Sequence, residues 1–171
     1  MAKQLEVTGA DINHRDDFNR TALHVAASKD YLEAAIYLIR IGADLEAKDI
    51  PGRTALLRAV IYDSLRVAKE LIQSGADLEA KDNVGRTPLH HTAYEDSLQV
   101  AKELIRSGAD LEAKEWYGPG PLTPLHRAAD EDSLQVAKEL IRNGANKNAE
   151  DNEGRRPIDR ARSQEMKELL Q

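Results

Sequence analysis

Apolar and polar residues alternate along this chain with a helical period, and the alternation itself recurs. In the segment DSLQVAKELIRSGADLEAKE, residues 96–115, Leu98, Ala101, Leu104 and Ile105 fall on one face at helical spacing, while Gln99, Lys102, Glu103 and Arg106 fall on the wet face. The pattern predicts a helix starting at Asp96. Asp96 and Gln99 read as a capping box with Asp in the role of Ser or Thr, a spacing repeated at Asp30/Glu33 and Asp132/Gln135. Gly108 predicts a left-handed cap at the far end. Upstream, Arg86-Thr87-Pro88-Leu89-His90 opens a shorter helix. Thr87 is placed to cap it, Pro88 stands at the first helical position, where a missing N–H costs nothing, and Leu89 and Ala93 supply the apolar stripe. Asp82-Asn83-Val84-Gly85-Arg86 before it reads as a turn, with Gly85 free to take the positive φ of a tight reversal. Each unit is therefore turn, helix, loop, helix and extended arm.

The unit recurs. Asp63 to Asp82 and Asp132 onward are near copies, and a more divergent copy starts at Asp30. Thr21, Thr54 and Thr87 lie 33 residues apart. A fixed period of that length predicts a solenoid, in which each unit buries its apolar face only against its neighbours. The copies divide the chain into a partial N-terminal unit 1–15, repeats 16–48, 49–81, 82–114 and 115–150, and a C-terminal cap 151–171. Lys3-Gln4-Leu5 aligns with Lys69-Glu70-Leu71, so the chain is expected to begin inside a second helix whose partner is missing. The cap carries Arg155, Arg156, Asp159, Arg160 and Arg162 where internal repeats are small or apolar, which keeps a stack from growing.

Gly85-Arg86-Thr87-Pro88-Leu89-His90, followed by Gly108-Ala109-Asp110, resembles the signature of the ankyrin-repeat family, and the resemblance returns in every unit. It implies an all-α repeat solenoid: a stack of helix–loop–helix units with projecting β-hairpin or loop fingers, binding other proteins through a concave palm. It also implies that His24, His90 and His126 tie each helix to the neighbouring loop, so repeat 2, with Leu57 at that position, is expected to be cross-linked less well. Three departures stand out. Asp30, Asp63, Asp96 and Asp132 replace the usual Gly between the two helices, so that loop is expected to differ slightly. Asn19 replaces the turn Gly. Ile36-Tyr37 replaces the Lys-Glu pair of the other second helices and is expected to pack toward the N-terminal unit.

Because the framework is so repetitive, positions that differ between units mark surface released from packing. They are the finger tips and the ends of the first helices. Of seven aromatic residues, five (Phe18, Tyr62, Tyr94, Trp116 and Tyr117) fall there, and Tyr and Trp are the types that most often dominate interface energy. The candidate protein-binding set is Phe18, Lys29, Ile50, Pro51, Tyr62, Asn83, Val84, Tyr94, Glu95, Trp116 and Tyr117. The finger 115–123 is three residues longer than its siblings, with two prolines and two glycines. Trp116 and Tyr117 are read as an anchor at its tip; the competing reading folds the Trp back onto the neighbouring finger.

Composition narrows the class. A net charge of −6 argues against nucleic acid, whose affinity comes from basic side chains displacing counterions. Cysteine is absent, so no disulfide frame or thiolate chemistry is expected. No apolar run reaches about 18 residues, the length of a membrane span. No metal, cofactor or catalytic set is apparent among the five histidines and the carboxylates, which recur once per repeat at positions read as solvated. The expectation is a monomeric, cytoplasmic, non-enzymatic module that binds a protein or peptide. Two alternatives are a trimmed targeting or regulatory segment of a larger protein and an engineered binder on the same scaffold.

Overall fold

Helices start and stop at the same few residue types in every unit. In the computed structural model, which describes residues 11–116 and 120–171, the first helices of the four repeats are α1 (Ala22–Ser28), α3 (Ala55–Ile61), α5 (Pro88–Glu95) and α7 (Pro124–Glu131). They alternate with second helices α2 (Leu32–Arg40), α4 (Leu65–Gln73), α6 (Leu98–Arg106) and α8 (Leu134–Arg142), and the chain closes with α9 (Pro157–Arg160) and α10 (Gln164–Leu170). The partial N-terminal unit lies mostly outside the described residues, as does any packing of Ile36 and Tyr37 onto residues 1–10.

Each first helix is capped by its threonine. Thr54 Oγ1 accepts the Leu57 N–H at 3.3 Å. In α1, α5 and α7 the box is closed by a histidine, whose Nδ1 accepts the backbone N–H of Thr21, Thr87 or Thr123.

The ends of these helices correct the capping boxes expected at Asp30, Asp96 and Asp132. These residues and Asp63 do not open the second helix; they terminate the first, in the left-handed conformation with φ of 53°, 55°, 60° and 50°. The N–H of the residue after each Asp returns to a carbonyl five residues back, as in Ser97 to Thr92 at 3.0 Å and Ser64 to Ala59 at 2.8 Å. That is the reverse turn usually made by glycine. The inter-helix loop therefore keeps its ordinary shape, with Asp accepting the strain that Gly would avoid. The second helices begin two residues later, at Leu32, Leu65, Leu98 and Leu134, and end at Gly42, Gly75, Gly108 and Gly144, all at positive φ as expected.

Neighbouring first helices pack side by side, as do neighbouring second helices. Small residues allow the close approach: Ala26, Ala27, Ala59, Ala93, Ala128 and Ala129 are buried between Leu23, Leu56, Leu89 and Leu125. Val67-Ala68-Leu71, Val100-Ala101-Leu104 and Val136-Ala137-Leu140 form the matching row beneath. The core is a ribbon that lengthens with each unit. One residue placed on the wet face lies elsewhere: Glu103 is buried, with Arg106 Nη2 at 2.6 Å from its carboxylate.

The fingers are loops. Among the described residues the only strand-like pairing outside helices is the single antiparallel bridge Glu115–Leu122, so the expected hairpins are too short to build a ladder. Their tightness explains this: the Asp82 N–H bonds the Arg86 carbonyl at 3.1 Å and the Gly85 N–H bonds the Asp82 carbonyl at 2.9 Å, leaving no room for a second pair.

Candidate protein-interaction surface

An acidic side chain opens each finger and holds it. Asp16, Asp49, Asp82 and Asp151 each turn one carboxylate oxygen onto finger N–H groups; Asp82 Oδ1 takes those of Val84 at 3.0 Å and Arg86 at 2.9 Å. Neighbouring fingers are then joined. Ile50 N–H donates to the Phe18 carbonyl at 3.1 Å and Asn83 N–H to that of Pro51 at 3.0 Å. Lys48 Nζ and Lys81 Nζ reach the next arm's carbonyls of Lys81 and Lys114 at 2.8 and 2.9 Å. Histidine supplies the deepest ties: Nε2 of His24, His90 and His126 meets the carbonyls of Arg53, Leu122 and Arg155. A carbonyl only accepts, so each Nε2 carries the proton; each Nδ1 accepts a threonine N–H, so each imidazole is neutral. Burial pushes all three below the usual histidine range, His90 down to about 4. Repeat 2 has the fully buried Leu57 instead and lacks this tie; the Asn83 side-chain amide adds a bond to the Ile50 carbonyl at that junction, at 2.8 Å.

The finger acids are not the solvated framework groups expected from sequence. Asp49, Asp82, Glu115 and Asp151 are buried, and each meets a basic residue on the first helix of its own unit. Arg58 Nη2 lies 2.5 Å from Asp49, His91 Nε2 lies 2.9 Å from Asp82, and Arg160 Nη2 lies 2.6 Å from Asp151. Glu115 binds Arg127 and also reaches back to Arg86 Nε at 2.9 Å. His91, outside the repeated position held by His24, His90 and His126, is a member of this buried series. The signal was present as a base nine residues after the acid, offset by three in the long finger, but the acids had been judged by residue type. Burial pushes the Asp82 carboxyl up, and hydrogen bonds from His91, Arg86 and Val84 outweigh it, leaving it below the usual carboxylate range. Asp151 is held further down by Arg160 and Arg155 against the same burial. In repeat 1 the helix position is Val25, so Asp16 pairs with Arg20 at 2.7 Å, and that bond leads in lowering its pKa to about 2.

Above this buried layer lie the exposed aromatics. Phe18, Tyr62, Tyr94 and Trp116 are 59, 53, 45 and 66% exposed, well beyond what packing alone leaves open for such side chains. Phe18, Tyr94 and Trp116 each have a cation beside them. Arg20 stacks on Phe18 at 4.9 Å and also feels the phenol of Tyr62; Arg86 lies 5.1 Å from the Tyr94 ring and Lys81 lies 3.9 Å from the Trp116 ring. These contacts join the third finger to the end of α5 and to the start of the long finger. The indole of Trp116 lies back on Gly85, where a Cβ would come within 2.7 Å of Nε1, yet most of the ring stays open. Gly85 is thus required by its φ of 80° and by the indole above it.

Of the other candidates, Lys29, Ile50, Pro51, Asn83 and Glu95 are exposed, Val84 is half-buried, and Tyr117 lies outside the described residues. Tyr31, absent from the candidate set, is 59% exposed at the start of α2.

The model for ankyrin repeats, in three copies, matches residues 1–82, 48–115 and 79–151. The chain belongs to the ankyrin-repeat family. Ankyrin repeats are generally protein-interaction modules and typically not enzymes. No curated protein matches this ankyrin-repeat chain significantly. Among its described residues no helix is long and apolar enough to cross a membrane, and no group of three His, Asp or Glu side chains converges as a metal site would require.

Proposed function

We propose that this ankyrin-repeat protein is a non-enzymatic module that binds another protein or a peptide through the concave face formed by its fingers and first-helix ends. The observation that carries the reading is the exposure of Phe18, Tyr62, Tyr94 and Trp116, large rings at the finger tips and first-helix ends left open to solvent. Binding there costs little ordering, because every finger is already tied to its neighbours by backbone, lysine and histidine bonds. Ile50, Pro51, Lys29 and Glu95 complete the surface, while Asn83 spends its amide on the finger beside it. The reading includes a monomer in the cytoplasm, supported by a framework that holds without cysteine and by the charged terminal unit.

The test is affinity capture with the wild-type chain, with Tyr62→Ala/Tyr94→Ala, with Trp116→Ala, and with Lys69→Ala/Lys102→Ala on the opposite helices. The first two variants are expected to lose the captured partner by tenfold or more while the last keeps it. Equal capture by all four chains would sink the reading.

A further inference from the structure

The finger arginines are not equivalent. Arg20, Arg53, Arg86 and Arg155 occupy the same finger position in successive units, with Leu122 at the equivalent place in the long finger. Arg20 is held by Asp16 at 2.7 Å, Arg86 by Glu115 at 2.9 Å and Arg155 by Asp151 at 3.1 Å. Among the described residues Arg53 has no ion pair, and its Nε is buried there without a hydrogen-bond partner. Both nearby acids are taken. Asp49, in the same finger, is engaged by Arg58 through Nε at 2.6 Å and Nη2 at 2.5 Å. Asp82, which stands to Arg53 as Glu115 stands to Arg86, is engaged by His91 and is one methylene shorter than Glu115. In the finger of repeat 2, Arg53 and Arg58 therefore stand against the single carboxylate of Asp49, in a chain whose net charge is −6. Arg53 lies in sequence between Arg20, which stacks on Phe18, and Arg86, which lies by Tyr94.

We infer that Arg53 receives a single carboxylate, an Asp or Glu side chain of an extended partner segment, whose flanking apolar residues lie on Tyr62 and Tyr94. A planar guanidinium takes a carboxylate through two parallel N–H bonds, and a donor buried without a partner gains most from an incoming acceptor. Among the described residues Arg53 is the one finger-row guanidinium without a carboxylate, and a single negative charge matches it. A phosphate dianion would need a second, and Arg20 and Arg86 are already committed to Asp16 and Glu115. The inference rests on the concave-face reading above.

Panning a random twelve-residue peptide library on phage against the folded chain tests it, with selected peptides then measured by calorimetry against the wild type, Arg53→Gln and Tyr62→Ala/Tyr94→Ala. Circular dichroism checks that each variant keeps its helices. Enriched peptides are expected to carry one acidic residue between apolar ones and to lose at least tenfold in affinity for R53Q. Changing that acid to its amide should cause the same loss, and the two changes together should add little. Peptides without an acidic residue, or indifferent to R53Q, overturn the inference. If such peptides still lose binding to the tyrosine variant, the carboxylate receptor fails while the interaction face stands. If nothing is enriched, or binding ignores every substitution, both fail.

Discussion

Acidification should loosen this stack through its histidines before it reaches its carboxylates. His90 is fully buried; its Nε2–H donates to the Leu122 carbonyl at 2.9 Å and its Nδ1 accepts the Thr87 N–H at 3.3 Å. Protonation would put a hydrogen on Nδ1, facing a donor, inside a site closed to water. The ordinary histidine pKa is about 6.5, and burial pushes that of His90 down to about 4. Because the folded value is the lower one, the unfolded chain takes up a proton first. Stability is full above about pH 6.5 and falls until the folded group also titrates near pH 4. The whole shift corresponds to about 3 kcal/mol, of which about 2 is lost by pH 5. His24 and His126 act in the same direction. Asp82 and Asp151, held below the usual range, begin to cost stability only as the pH falls through the ordinary carboxylate pKa. His90→Leu isolates the effect, since Leu57 already fills the same position fully buried. Urea unfolding at pH 7.5, 6.5, 5.5 and 5.0, followed by circular dichroism, is the assay. The variant is expected to be less stable at pH 7.5, from loss of its hydrogen bonds, and its gap to the wild type should narrow by about 2 kcal/mol by pH 5. Parallel curves for the two proteins would refute a buried neutral imidazole.

Glu115→Gln leaves Arg86 and Arg127 without their shared buried charge and should lower stability by about 3 kcal/mol in the same urea assay; a loss within error would show that the pairing is idle. Asp96 bears the left-handed conformation at φ 55°, with no partner for its carboxyl among the described residues, and burial pushes that carboxyl above the usual range. Asp96→Gly should therefore raise thermal stability, by about 0.5–1 kcal/mol. The same change at Asp30, whose carboxylate holds Arg66 Nε at 2.7 Å and the Val67 N–H at 3.2 Å, should lower it, and a gain at both sites would contradict the role given to those bonds.

The repeat framework was legible because its determinants are local. Thr21, Thr54 and Thr87 cap helices wherever they stand, Gly108 ends one, and the spacing of Leu98, Ala101 and Leu104 sets a buried face. The Asp at the inter-helix position was misread because Asp is at home both at helix starts and in left-handed turns. Only the bond from Ser97 back to Thr92 decides between them. The buried series Asp49–Arg58, Asp82–His91, Glu115–Arg127 and Asp151–Arg160 was missed for a different reason. Its members are nine or twelve residues apart on different elements, and carboxylates are read as wet by residue type. The exposed rings were legible as departures from a repeat. Which cation sits on each ring, and that Arg53 is left without an acid, depends on competition between neighbouring units that no single repeat displays.

Backbone amide shifts of the isotope-labelled protein, followed by NMR as a selected peptide is added to saturation, test the central claim most directly. The account predicts the largest changes around Phe18, Arg53, Tyr62, Tyr94 and Trp116, with Lys69, Lys102 and Lys138 on the second helices undisturbed. Changes centred on those second helices, with the finger face silent, would contradict it.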